Sequence, residues 1–289
     1  MRKFFCFFVF IAAFCFSGCK SAPVPTAEKK GFPPPLLVFN TIEAESPERM
    51  DLHFTLEIEN PTAVDLTVGI DSWRVEMDEV KGQSGFDLEN PTGGFTVNPG
   101  SASFPLKLSM DVGALSAAGM DPADNYTVKL VLELDVFNQG NAAPLRLEVS
   151  GLAVFPTVQT PVFSVTNIAI LKAELINTRF RVGLKIDNPN PFPVDLSAFS
   201  YTLYGNGMLW AEGTERNIIS VAGRTTIQED IFLSMNFINM DRRLLDQIIR
   251  LEDVNYRFAG EAVVSTGVNY LPRFKSSFDL SGYSQVLEK

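Results

Sequence analysis

The sequence holds one histidine, two tryptophans and three cysteines in 289 residues. Each scarcity closes off some chemistry. The cysteines, Cys6, Cys15 and Cys19, all stand at the extreme N-terminus. If the chain is cut before Cys19, one thiol remains and no intrachain disulfide can form. Structural zinc needs clustered Cys and His, and the sequence has no such cluster. Acyl transfer needs a base beside the nucleophile, and the lone His53 falls on the polar side of an alternating segment, a solvated strand position. No phosphate-cradling or dinucleotide-binding glycine pattern appears. No cofactor, metal site or catalytic residue is therefore expected. Two acid-based readings stay open. The 34 acidic residues guarantee some neighbouring carboxylates, as glycoside chemistry needs. Asp121 and Asp124 could hold calcium weakly, without the alternating oxygens and closing Glu of a dedicated loop.

Basic charge is also short. The formal net charge is -10, with 24 Lys and Arg against 34 Asp and Glu. Loss of Arg2 and Lys3 with a cleaved leader would leave 22 basic residues and a balance of -12. Such a surface repels nucleic acid and anionic lipid heads, so nucleic acid is not an expected partner.

The leader is legible. Met1-Arg2-Lys3 is a basic start, and residues 4–16 form a 13-residue apolar run, too short to span a bilayer comfortably. Phe16-Ser17-Gly18-Cys19 then resembles a bacterial lipobox, with Phe where Leu is usual. The resemblance implies a signal peptide over 1–18 and lipidation of Cys19. Two or more acyl chains anchor a protein stably where one does not. The expected location is the cell envelope, lipid-anchored. Lys20, rather than Asp, after the cysteine favours the outer membrane by enteric sorting. Residues 19–35 carry five prolines and no apolar periodicity, a semi-rigid tether reaching at most about 50 Å.

Beyond the tether the chain is built around two corners. Ile58-Glu-Asn60-Pro61-Thr-Ala-Val-Asp-Leu66 is echoed by Ile186-Asp-Asn188-Pro189-Asn190-Pro191-Phe-Pro-Val-Asp-Leu196. In each, an alternating apolar run precedes Asn-Pro, and Val-Asp-Leu opens the next run. Proline removes a ladder donor and pushes its predecessor out of the helical region, so Asn-Pro ends a strand. Two such corners about 130 residues apart predict a duplicated unit, spanning 36–155 and 162–289. Residues 156–161, with two prolines and no periodicity, form the boundary.

Strict alternation predicts strands over 50–59 and 174–186, with Met50, Leu52, Phe54, Leu56 and Ile58 inward in the first. Separate strands are expected over 64–70 and 73–77, then a long Gly-, Asn- and Asp-rich loop over 81–98. Residues 111–120 read as a short weak helix. Phe237, Met240, Leu244, Ile248 and Leu251 fall at helical spacing, the best helix of the chain. Beyond the corners, Leu108-Ser109-Met110 answers Leu233-Ser234-Met235, Asn125-Tyr126 answers Asn255-Tyr256, Ser150-Gly151 answers Ser281-Gly282, and Trp73 answers Tyr201.

The alternating strand, Asn-Pro-Asn-Pro with Val-Asp-Leu, the aromatic strand, the Gly205-Asn206-Gly207 turn and the late helix resemble the late-embryogenesis-abundant (LEA) type 2 family, whose domain is also called WHy. The resemblance covers about residues 36–289 as two copies, the second the better. It implies an all-β fold of two tandem immunoglobulin- or fibronectin-III-like antiparallel β-sandwiches, each with a short helix. Short strands and few helices argue the same class independently. The family is linked to desiccation and water stress, with no catalytic residues. The expectation is a non-enzymatic envelope lipoprotein that binds or shields envelope proteins or glycans. A glycan binder or adhesin would instead gather exposed aromatics, with Trp73, Tyr204 and Trp210 the first to inspect. A hydrolase would show paired acids in a cleft.

Overall fold

Met50, Leu52, Phe54, Leu56 and Ile58 are buried while Glu57 and Glu59 face solvent. A pleated strand sends successive side chains to opposite faces, so this alternation buries one face only as a strand. The computed structural model describes residues 32–77, 80–89, 94–120, 123–138, 143–172, 178–235, 254–284 and 286–288. Residues 33–289 form one compact unit. Nearly all described structure is β, as sequence patterning requires. The expected helix over 236–251 lies outside the described residues.

Residues 36–156 make two sheets. The first has the order β1 (Leu36–Ser46), β2 (Arg49–Asn60), β7 (Gly100–Asp111), β5 (Phe86–Glu89). The second has the order β4 (Val80–Gly82), β3 (Leu66–Met77), β8 (Asn125–Asn138), β9 (Leu145–Pro156), with β6 (Phe95–Val97) also on β3. All these pairs are antiparallel. The sheets face each other: the Phe95 and Phe104 rings meet at 4.3 Å. A Cβ on Gly151 of β9 would lie 2.7 Å from the Leu37 carbonyl of β1, so only glycine allows that approach.

Residues 162–288 repeat the plan. One sheet runs β15 (Thr225–Met235), β11 (Thr178–Asn188), β10 (Val162–Lys172), β18 (Val286–Glu288). The other runs β13 (Met208–Glu215), β12 (Val194–Gly205), β16 (Val254–Ser265), β17 (Arg273–Ser284), with β14 (Ile219–Val221) on β12. Phe180, Leu184 and Leu233 from one sheet share a core with Leu203, Trp210 and Phe258 from the other. Two differences stand out. The strand on β7 has no described counterpart on β15, and β18 runs parallel to β10. No described strand of 36–156 pairs with one of 162–288.

The two strands expected over 64–70 and 73–77 are one strand, β3, with a bulge between Ile70 and Ser72. A bulge absorbs the polar Asp71-Ser72 pair without ending the ladder. The long loop over 81–98 contains β4, β5 and β6, because Phe86, Leu88, Phe95 and Val97 can each be buried. The weak helix is α1 (Val112–Ala117), capped by Asp111. Some residue matches between halves hold in register and others slip. Leu52 opposes Leu108 as Phe180 opposes Leu233, each at the same distance from its corner asparagine. Gly151 opposes Leu130, whereas Gly282 opposes Tyr256. Tyr256 therefore matches Leu130, not Tyr126. Counted from Leu66 and Leu196, Trp73 matches Leu203, not Tyr201; the two oppose Leu132 and Phe258.

Candidate functional site

The two corners are built from buried asparagines at strand ends. Asn60 closes β2 and Asn188 closes β11, at 2% and 0% exposure. Proline follows each, so neither ladder can continue. Asn60 Nδ2 donates to the Val64 carbonyl at 2.8 Å and the Val97 carbonyl at 2.9 Å. Asn188 Nδ2 donates to Phe192 at 2.9 Å, and to Val221 and Ala222 at 3.1 Å. Each amide thus ties its own corner loop, four residues on, to the short strand β6 or β14. The Asn60 Oδ1 accepts from Thr62 N at 2.9 Å, and the Asn188 Oδ1 from Asn190 N at 3.1 Å. Asparagine supplies donor and acceptor at once, which a buried corner of loose backbone groups needs. Pro61 and Pro191 are exposed and Pro189 half-buried; all three act on the backbone alone.

The second corner carries an added device. Asn190, fully buried, reaches back to Gln159 in the segment joining the halves. Its Oδ1 accepts from Gln159 N at 2.7 Å and its Nδ2 donates to the Gln159 carbonyl at 2.8 Å. One side-chain amide thus pairs with a backbone residue as a neighbouring strand would. In the first corner Thr62 stands at that place, with a hydroxyl that bonds Asn60 and Val64 instead.

Around this clamp the halves meet end to end. Val158 is buried in the core of the second half. Tyr270 Oη donates to the Pro156 carbonyl at 2.6 Å, and its ring meets Phe155 edge-on at 5.8 Å. Burial pushes the Tyr270 hydroxyl well above the ordinary tyrosine value. Arg224 donates to the Asp124 carboxylate, and Thr160 Oγ1 to Glu48 at 3.4 Å. Asp124 thus holds an arginine; its proposed calcium partner Asp121 lies outside the described residues, as does Cys19. Sequence reasoning missed Gln159, Arg224 and Tyr270. The doubled Asn-Pro, absent from the first corner, was the one available signal.

The candidate aromatics do not converge. Trp210 is buried and stacked on Phe180 at 5.4 Å. Tyr204 is half-buried under Arg257 on β12, and Trp73 half-buried on β3 in the other half. His53 is on the outer face of β2, 3.7 Å from Glu43. A cleft of about 720 Å³ lies at the hairpin end of the first half and is lined by Glu43, Glu45, Asp51, Asp87, Asp111 and Arg49. Two of its acids have structural partners: Asp51 accepts from Ser109 Oγ at 2.6 Å, and Asp111 caps α1 through Ala114 N at 2.9 Å. Among the described residues no group of three or more His, Cys, Asp or Glu could hold a metal ion. No described helix is long and apolar enough to cross a membrane.

These features define an all-β protein of facing antiparallel sheets, cornered by asparagine and proline. Residues 183–276 match the family model described as late embryogenesis abundant protein, a stretch from β11 to β17 that includes the Asn188 corner. The match does not extend over 36–156. No curated protein matches the chain. Among solved structures, a protein from Archaeoglobus fulgidus is similar at 18% identity, covering 43% of this chain and 97% of that one, at a TM-score of 0.26. The secreted serine protease VesC of Vibrio cholerae is 11% identical over 70% of this chain, at 0.23, and this chain spans 46% of it. A calcium-binding mutant of Bacteroides uniformis β-glucuronidase 2 is 10% identical over 80% of this chain, at 0.23, and this chain spans 26% of it. At such scores these likenesses assign no activity.

Proposed function

We propose that the protein is a lipid-anchored envelope protein carrying two LEA type 2 sandwich domains, and that it works without catalysis by binding or shielding envelope partners during water stress. The observation that carries this is the corner. The family match covers the Asn188 corner, and the Asn60 corner repeats its bonds to the carbonyl four residues on, to the short strand and from the backbone N–H two residues on, which supports reading the first half as a second copy. The anchor rests on Phe16-Ser17-Gly18-Cys19 behind a basic, apolar leader. The balance of -12 suits a protein that stays hydrated and repels its like as water is withdrawn.

Two experiments test this. Metabolic labelling with a fatty acid marks the wild type and fails for Cys19→Ala; equal labelling of both removes the anchor. A strain lacking the protein loses viability on drying, restored by the wild type; unchanged survival removes the stress role. The glycan-binding alternative has little support from its aromatics, since Trp210 is a core residue and Trp73 and Tyr204 sit on different halves.

A further inference from the structure

The corner end of the first half carries exposed apolar side chains: Leu36 at 57%, Val64 at 43%, Phe137 at 46% and Leu145 at 46%. The register places them together. Leu36 opposes Glu57, near the close of β2. The Val64 carbonyl is held by Asn60. Phe137 opposes Thr67 at the start of β3, and Leu145 opposes Val136. They therefore edge one end of the sandwich, on both sheets and the corner loop.

The second half shows what becomes of this end when something lies against it. There residues 157–161 cross the end, Val158 fills it, Asn190 clamps it, and Tyr270 of the β16–β17 hairpin seals its rim. The equivalent end of the first half is where the chain enters β1. Residues 20–35 lead back from it to Cys19, a segment of at most about 50 Å when extended. If Cys19 is acylated, as proposed above, a bilayer is the surface always within reach of this end. Charge narrows the contact. Glu57, Glu59 and Asp65 are exposed among the apolar groups, and carboxylates resist leaving water. They hold the contact at headgroup depth and set it against anionic lipid.

We infer that this end of the first half, through Leu36, Val64, Phe137 and Leu145, rests on a neutral lipid surface and so orients the anchored protein. The inference depends on the anchor, and the test separates the two. Full-length acylated protein is placed in phosphatidylcholine vesicles with an environment-sensitive fluorophore on Phe137→Cys, on Val64→Cys or, as reference, on Tyr283→Cys. Tyr283 is 81% exposed and belongs to the far half. Cys19, acylated, does not take the label. On vesicles the fluorophores at 137 and 64 are blue-shifted and quenched by aqueous iodide about threefold less than that at 283. In unacylated Cys6→Ser, Cys15→Ser, Cys19→Ala protein without lipid, which keeps no other thiol, all three are quenched alike. Equal quenching on vesicles overturns the contact. Shielding at 137 that persists without lipid also overturns it, and assigns the end to a protein partner, a second copy or the leading residues. Mass spectrometry of the same sample reads the acyl group directly, so a missing anchor is told apart from a missing contact.

Discussion

A single side-chain type, asparagine, does two separable jobs: it closes the corners at residues 60 and 188 and clamps the joint at residue 190. Asn188 satisfies three carbonyls and accepts twice from Asn190, all away from water. Removing one partner of a buried bond leaves the other unsatisfied at about 1–3 kcal/mol. Asn188→Ala is therefore expected to lose about 2–4 kcal/mol in urea unfolding, more than Asn60→Ala, which abandons two carbonyls. Equal losses would contradict this ranking. Gly205 gives a second test. A Cβ there would lie 2.0 Å from the Trp210 ring, so Gly205→Ala must displace the indole. It is expected to cost about 1–3 kcal/mol or more, with a shifted tryptophan emission. The corner asparagines were legible because Asn-Pro acts locally on the backbone. The partner of Asn190 was not. Gln159 is 31 residues upstream, and only the meeting of the halves selects it.

Elements were legible where burial is one-sided. β2 and β11 alternate cleanly; β2 appears where the alternation places it, and β11 covers the described part of the strand expected over 174–186, residues 174–177 lying outside the described residues. The errors lie where polar residues interrupt a strand that tertiary pairing keeps whole. Asp71-Ser72 looked like an end to β3 but is a bulge against β8. Within the Gly-rich loop, β5 and β6 are three or four residues long, too short for periodicity to register. α1 is marginal on propensity, with glycine at its second position, and depends on its cap and on the buried Leu115. Asp111→Ala is expected to cost about 1 kcal/mol. Amide exchange should speed at Ala118 and Gly119, whose N–H groups close the helix, with β2 unaffected. Faster exchange throughout the first half would show that α1 is not a local element.

At the scale of the molecule, acid and base weaken the fold for opposite reasons. Lys129 holds the Glu76 carboxyl below its ordinary value, and Arg257 does the same for Asp279. A carboxyl depressed in the folded state stabilises above its unfolded value, and that contribution fades as pH falls through the folded one. Burial raises the hydroxyls of Tyr126, Tyr201, Tyr256 and Tyr270. A group raised by folding contributes fully below its unfolded value and loses that contribution as pH climbs beyond about 10. Unfolding free energy should therefore drop on the alkaline side, and Tyr270→Phe should flatten that limb. An identical alkaline limb in the variant would show that the joint does not bury this phenol. The joint was the least legible feature, since a Pro-containing segment without periodicity gives no sign of being gripped. Asn190→Ala should open residues 157–161 to limited proteolysis while each half stays folded; unchanged resistance would mean that the clamp is dispensable. The clamp also recognises main-chain atoms only. Position 159 is thereby freed to drift among nearly all amino acids across descendants, with proline the forbidden one, because it would strip away the single hydrogen that Asn190 needs.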